Sequence, residues 1–242
     1  MFKGRLSFSA FECYDQCPYK FKKQYIERVK TPNNKYAMFG SAFHNLIDEA
    51  YKNNQFLLNI LLKQWPIIFE KESSRKEYNH IPSNIKKEQE ERGYKDIKTW
   101  FKLVDGFGFL RPCIAHELSL KGKFKQLKLS ARIDLVIDVK GGVGIIDWKT
   151  GTADRKNLMQ LALYAALYYR RKGIKVKWLI PVYTKIKEVV FQECNKDIMK
   201  EASKYFNNIY DRLVVDKEFK PTKNSFCYFC GFRETDCPLK NK

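Results

Sequence analysis

The feature that most constrains how this chain can fold is a pair of β-rich apolar runs joined by a two-glycine turn. Arg132-Ile133-Asp134-Leu135-Val136-Ile137-Asp138 leads through Val139-Lys140-Gly141-Gly142 into Gly144-Ile145-Ile146-Asp147-Trp148-Lys149-Thr150-Gly151. β-Branched residues suit strands and a glycine pair suits a tight turn, so the pattern predicts two adjacent antiparallel strands. Alternate residues of a strand share a face, which projects Asp147 and Lys149 together and turns Trp148 the other way. The hairpin also brings Asp134 within reach of Asp147. A lone Asp-x-Lys is commonly a solvated ion pair of little energetic weight. With a second acid opposite, the same residues could hold a divalent cation and orient a water.

Upstream, Ile114-Ala115-His116-Glu117-Leu118-Ser119-Leu120 reads as another strand and supplies a third carboxylate, Glu117. Downstream, Lys156 to Lys172 reads as a helix, with Gln160 and Tyr164 one turn apart on one face. The order continues with strand-like Lys175 to Tyr183 and Glu188 to Glu193 and an amphipathic helix from about Lys196 to Leu213. Strands, helix, strands and helix in this order predict an α/β (α+β) fold with a mixed sheet flanked by helices.

The first part of the chain reads as helices. Ser7 and Ser9 are candidate caps for a helix from Ala10 to Gln16, and Pro18 suits the first turn of a second, in which Tyr19, Phe21 and Tyr25 alternate with Lys20, Lys22 and Lys23. That alternation fits either core rings with solvated lysines or a nucleic-acid surface on which rings stack on bases. After the loop Thr31-Pro32-Asn33-Asn34, Phe39 to Asn53 has helical spacing and places His44 and Asp48 on one face. Gln55 to Asp105 reads as further helices, interrupted from Lys71 to Arg92 by a polar, charge-mixed interval expected as a loop or lid. Its position between His44 and the strands fits a helical cap through which a strand of nucleic acid could pass.

The 46 lysines and arginines against 27 acids give a formal charge of +19, which favours a polyanionic partner. An anionic membrane is the weaker choice, since no apolar run approaches the length of a span and no basic amphipathic anchor is evident. The N-terminus lacks the apolar core of a signal peptide, so a cytoplasmic location is expected. In a reducing compartment the seven cysteines are not expected to pair as disulfides. Cys227, Cys230 and Cys237 cluster near the end, one thiolate short of a tetrahedral set, and therefore suggest a metal.

The elements Gly40-Ser41-Ala42-Phe43-His44, Asp134, Asp147-Trp148-Lys149-Thr150-Gly151 and Gln160-x-x-x-Tyr164 occur in an order that resembles the RecB-like branch of the PD-(D/E)XK nuclease superfamily. Ile133 stands where that family's name has proline. The resemblance spans nearly the whole chain and is nearest to small iron–sulfur CRISPR-associated exonucleases and their viral relatives. It implies a single nuclease domain over 1–242 with a restriction-endonuclease-like core: a mainly helical region 1–112, a catalytic core 113–213 and a cysteine-rich segment 214–242 clasped to Cys17. It implies magnesium or manganese, one ion or two, held by Asp134 and Asp147, with the Trp148 carbonyl and with His44 or Glu117 completing the shell. Lys149 would orient the attacking water, with metal proximity favouring its neutral form. Gln160 and Tyr164 would position the substrate strand. Cys17, Cys227, Cys230 and Cys237 would hold a 4Fe-4S cluster, with Cys13 second choice for the N-terminal ligand and zinc second choice as occupant. The implied activity is a metal-dependent DNA exonuclease, and a helical cap with interleaved aromatic and basic residues adds the expectation of a preference for single-stranded DNA or tailed ends, which can thread and stack. A catalytically idle DNA-binding or adaptor subunit and an RNA-directed nuclease are the alternatives.

Overall fold

Local capping decides where the N-terminal helices begin. Residues 5–30, 34–109, 113–233 and 236–240 are described in a computed structural model. After a short strand β1 (Arg5–Leu6), Ser7 caps α1 (Phe8–Gln16), its hydroxyl accepting from Ala10 N at 3.3 Å; Ser9 lies inside the helix and caps nothing. Helix α2 (Pro18–Phe21) follows with proline in its first turn and widens into a π-helical turn at Lys22–Ile26. Helix α3 (Lys35–Asn53) starts before the expected Phe39, because Asn34 accepts from both Tyr36 N and Ala37 N at 3.0 Å. The remainder of the loop expected there, Thr31–Asn33, lies outside the described residues, as do Glu234 and Thr235 of the cysteine-rich segment.

The interval expected as a loop or lid is mostly helix. Helix α4 (Leu58–Ser73) and helix α5 (Ser83–Gly106) are separated only by residues 74–82, which contain a 3₁₀ turn at Lys76–Tyr78. Helix α5 packs through Gly93, whose missing side chain leaves room for the Trp65 indole, and that indole donates to Glu90 O at 2.8 Å. A contact made by a glycine and a backbone carbonyl leaves no apolar stripe in the sequence, so the charged run concealed the helix. Arg92 completes the docking. Its guanidinium lies 4.2 Å from the Phe39 ring centre, pairs with Asp96 at 3.1 Å and donates to Thr150 O at 2.7 Å.

The rest of the chain builds the sheet. Strands β2 (Cys113–Phe124), β3 (Leu127–Val139) and β4 (Gly142–Lys149) form an antiparallel meander, turning into β4 at Gly141 and Gly142 with φ of +81° and +155°. Helix α6 (Arg155–Lys172) crosses over to β5 (Val176–Tyr183), which pairs parallel with β4. The strand expected from Glu188 to Glu193 is broken into β6 (Glu188–Val189) and β7 (Gln192–Glu193), both antiparallel to β5. Helix α7 (Lys196–Val215) follows, and a 3₁₀ turn at Ser225–Phe229 opens the cysteine segment. The sheet order is β1-β3-β4-β5-β6, with β2 on the other edge of β3 and β7 also on β5. Two residues made β1 invisible as a pattern, yet it pairs parallel with β3 at Lys128 and Leu129.

Two apolar clusters sandwich this sheet. One joins α1, α6 and α7 to Leu129, Ala131 and Ile133; the other joins α3, α4 and α5 to Leu135, Ile137, Ile146 and Trp148. Ile133 and Leu135 therefore face opposite layers, although a regular strand would put residues two apart on one face. The alternation switches at Asp134. Its neighbour across the ladder, Glu117, has φ +45°, a conformation that costs a non-glycine residue about 1–3 kcal/mol and that clusters at functional sites. No helix among the described residues is long and apolar enough to cross a membrane.

Candidate active site

The sheet register collects the acids. The pairs His116↔Leu135 and Leu118↔Ile133 set Glu117 opposite Asp134, and the pair Leu135↔Ile146 sets Asp147 next to Asp134 on the other side. Three carboxylates thus occupy one row across three strands. Asp134 Oδ2 accepts from Trp148 N at 2.8 Å, which ties the row together. Asp147 and Lys149 project to one side, with Lys149 Nζ 2.7 Å from Asp147 Oδ2. Trp148 points to the other layer and meets Trp100 edge-on, with ring centres 5.7 Å apart.

Helices from both layers complete the site. From α3, His44 Nδ1 approaches Asp134 Oδ2 at 3.6 Å, too far for a hydrogen bond. From α6, Gln160 Oε1 accepts from Lys149 Nζ at 2.8 Å while Gln160 Nε2 donates to Tyr164 Oη at 2.9 Å. The lysine is thereby held between Asp147 and Gln160. Asp134, Asp147, Lys149, His44, Gln160 and Tyr164 all line one cavity of about 460 Å³.

Charge in this cluster is divided by environment. Burial raises the Asp134 carboxyl, but His44 and the Trp148 N–H outweigh it and leave its pKa below the ordinary aspartate value. Asp147 stands above that value, because burial and the Asp134 charge prevail over Lys149. Burial disfavours charge on Lys149, yet Asp147 beside it holds the ammonium above the usual lysine value. Burial also raises Glu117, with Asp134 adding to the effect.

The donors fit a hard divalent cation. His44, Glu117 and Asp134 each place a ligand atom within 4.8 Å of the others, and carboxylate oxygens with one imidazole suit magnesium or manganese. Two buried atoms here, His44 Nδ1 and Asp147 Oδ2, have no properly directed hydrogen bond, although Lys149 is close to the latter. An orphaned acceptor of this kind is what a cation would satisfy. Asp147 itself lies outside the three-residue group.

The cysteines are gathered elsewhere. Cys17, Cys227, Cys230 and Cys237 line a separate cavity of about 290 Å³. Among the described residues no three of their sulfurs come within 4.8 Å of one another. The two chain ends are fastened around this cavity: Asn224 Nδ2 donates to Gln16 O at 2.8 Å and Tyr19 Oη to Asp236 O at 2.6 Å. Cys13 is buried beside it, donates to Gln24 Oε1, and its thiol is pushed up to about 12 by burial.

Two neighbours of the acids escaped sequence reasoning. Arg132 Nε pairs with Glu117 Oε2 at 2.8 Å, and His116 Nδ1 lies 2.8 Å from Asp48 Oδ1. Both contacts depend on which residues face each other across β2, β3 and α3, which no local pattern encodes.

The model of the family described as the PD-(D/E)XK nuclease superfamily matches residues 5–238. No curated protein matches the chain by sequence. Among solved structures, a protein from Eubacterium rectale named as a candidate exonuclease superposes with a TM-score of 0.59 at 13% identity, over 98% of this chain and 88% of its own. At that identity the likeness concerns the fold. The structure of SSO0001, with a TM-score of 0.40 and 19% identity over 66% of this chain and 79% of its own, is too loose to carry an argument.

Proposed function

Because the chain belongs to the PD-(D/E)XK nuclease superfamily, we propose that it is a divalent-metal-dependent DNA exonuclease acting at the row Glu117, Asp134 and Asp147, with Lys149 beside it. The observation that carries this reading is the convergence of Asp134, Asp147 and Lys149 in one cavity, with His44 and Glu117 completing a hard-donor set at Asp134. An idle DNA-binding subunit would need none of these buried charges, each of which costs stability when left unpaired.

Asp134 and Asp147, joined by His44 or Glu117 and the Trp148 carbonyl, would hold magnesium or manganese, which supplies charge neutralisation at the phosphate and a more acidic water. Lys149 faces the same cavity and donates hydrogen bonds to the attacking water and to the charge growing on the phosphate oxygens. Gln160 accepts from Lys149 and fixes the direction of that ammonium, while Tyr164 fixes Gln160. Both thus act first on the lysine, and they border the strand as well. In the basic–aromatic stretch Phe21 is buried in the core and Tyr25 packs against it, so the proposed preference for single-stranded DNA or tailed ends rests on the ability of an unpaired strand to thread and not on those rings.

The second cavity is assigned to a 4Fe-4S cluster on Cys17, Cys227, Cys230 and Cys237. Its support is that these four cysteines line one cavity between the fastened N- and C-terminal segments. The cluster would join the chain ends, making 1–242 one domain clasped at its termini.

The test is cleavage of end-labelled single-stranded and duplex DNA, and of RNA, by wild type and Lys149→Ala, with and without manganese. Metal-dependent release of nucleotides by wild type and none by Lys149→Ala is the expected result. Undiminished cleavage by the variant would remove Lys149 from the mechanism, and faster RNA than DNA degradation would favour the RNA-directed alternative.

A further inference from the structure

The β2–β3 ladder carries a charge pattern that neither the fold nor the active site uses. Beyond the row of Glu117 and Asp134, the next three same-face rows are Ser119↔Arg132, Lys121↔Ser130 and Lys123↔Lys128. The intervening residues, Leu120, Leu129 and Ala131, are buried against the α1, α6 and α7 layer, so these rows point the opposite way. All three rows have exposed cations, because the α3–α5 layer covers β3 only from Leu135 onward.

Three facts set these rows apart from ordinary solubilising charge. Each holds at least one cation and none holds an acid. Among the described residues Lys121, Lys123 and Lys128 have no acid within ion-pair distance, and Lys123 and Lys128 face each other directly, an arrangement that destabilises a sheet. The cavity of the candidate active site extends along this ladder past Arg132 and Ser119 to Lys121 and Ser130. Same-face rows follow at about 6.8 Å, twice the rise per residue of an antiparallel strand. That step is close to the phosphate repeat of an extended single strand of nucleic acid and twice that of a stacked one.

We propose that this face of the β2–β3 hairpin is a phosphate track: Arg132, then Lys121, then Lys123 with Lys128, take successive phosphodiesters of the strand that enters the active site, with Ser119 and Ser130 donating hydroxyl hydrogen bonds alongside. The proposal rests on the nuclease reading for the destination of the strand, but strand binding can be measured without cleavage. Arg132 contacts Glu117, so the decisive variants use the lysines.

The experiment measures binding of fluorescent oligothymidylates of two to eight nucleotides, without divalent metal and over a series of salt concentrations, to the full-length protein. The triple variant Lys121→Ala, Lys123→Ala, Lys128→Ala is compared with a charge-matched control, Lys200→Ala, Lys204→Ala, Lys217→Ala, on and beyond α7. The salt slope should fall by about 2 in the track variant, near 0.7 per lost single-strand contact, and stay at the wild-type value in the control. The wild-type gain in affinity between two and five nucleotides should disappear with it. Turnover of bis(p-nitrophenyl) phosphate should match wild type in the control triple variant, whose lysines lie on and beyond α7. Removing the facing lysines should hold or raise the melting temperature, whereas a structural role would lower it. Equal slopes and affinities for the two triple variants would overturn the track. Loss of slope in a protein that cleaves nothing would keep the track and overturn the nuclease reading.

Discussion

Replacing Gly93 by alanine tests whether α5 is docked where the structure places it. In an exposed helix the change would be favourable by about 1 kcal/mol, because alanine is the better helix former. Here a Cβ would lie closer than 3.0 Å to three atoms of Trp65, namely Cε2, Cζ2 and Nε1. Ordinary carbon contacts are about 3.5–4.0 Å, so either α5 withdraws or the indole turns. Trp65 is fully buried between Phe39 and Phe69, and turning it would break the bond to Glu90 O. Overpacking costs about 1–3 kcal/mol and the lost hydrogen bond about 1 kcal/mol. After subtracting the helix gain, the net destabilisation is about 2 kcal/mol, or a fall in Tm of roughly 4–8 °C for a chain of this size. The assay is thermal and urea unfolding of wild type, Gly93→Ala, Trp65→Phe and the double variant. Trp65→Phe should be destabilised by itself but should absorb part of the alanine cost, giving a coupling of about 1 kcal/mol or more. Withdrawal of α5 would also pull Arg92 from Thr150 O, just beyond Lys149, and so slow cleavage. A Gly93→Ala protein that melts at or above wild type would refute the close approach and with it the docking of the helix.

Asp147→Ala and Lys149→Ala should abolish cleavage and leave DNA binding largely intact, measured by product release and anisotropy on the same preparations, since binding draws on many cations. Gln160→Ala should lower kcat by up to about a hundredfold, the order expected when a reacting group is misplaced by an ångström, with little change in affinity; a matching loss of affinity would make it chiefly a substrate contact. Cys17→Ala should lower iron content, visible absorbance and melting temperature together, while Cys113→Ala and Cys194→Ala should retain iron. Zinc without iron in anaerobically purified wild type, or loss of metal from Cys13→Ala alone, would reassign that site. Degradation of single-stranded ends should outpace blunt duplex, and equal rates at matched ends would count against threading.

What the sequence determined by itself was whatever recurs at short range. Alternation and the Gly141-Gly142 pair are local, and they suffice for the β3–β4 hairpin, for the common side of Asp147 and Lys149, and for the opposite heading of Trp148. Helical spacing likewise suffices to put Gln160 and Tyr164 on one face, and the thiol spacing to mark the cysteine segment. Where a motif was read through resemblance, its residues could be named without knowing their partners. Partners are decided by register and packing, which join residues far apart in the chain. The switch of faces at Asp134, the positive φ of Glu117 and the three acids in one row arise only when three strands align. The same holds for the ion pair of Arg132 with Glu117 and for Lys149 ending between Asp147 and Gln160, whose charge depends on burial that no local pattern predicts. Helix α5 shows the limit most clearly. Its charged surface resembles a solvated loop, and it is held by the absence of a side chain at Gly93 against Trp65, a fit that exists only once two helices meet.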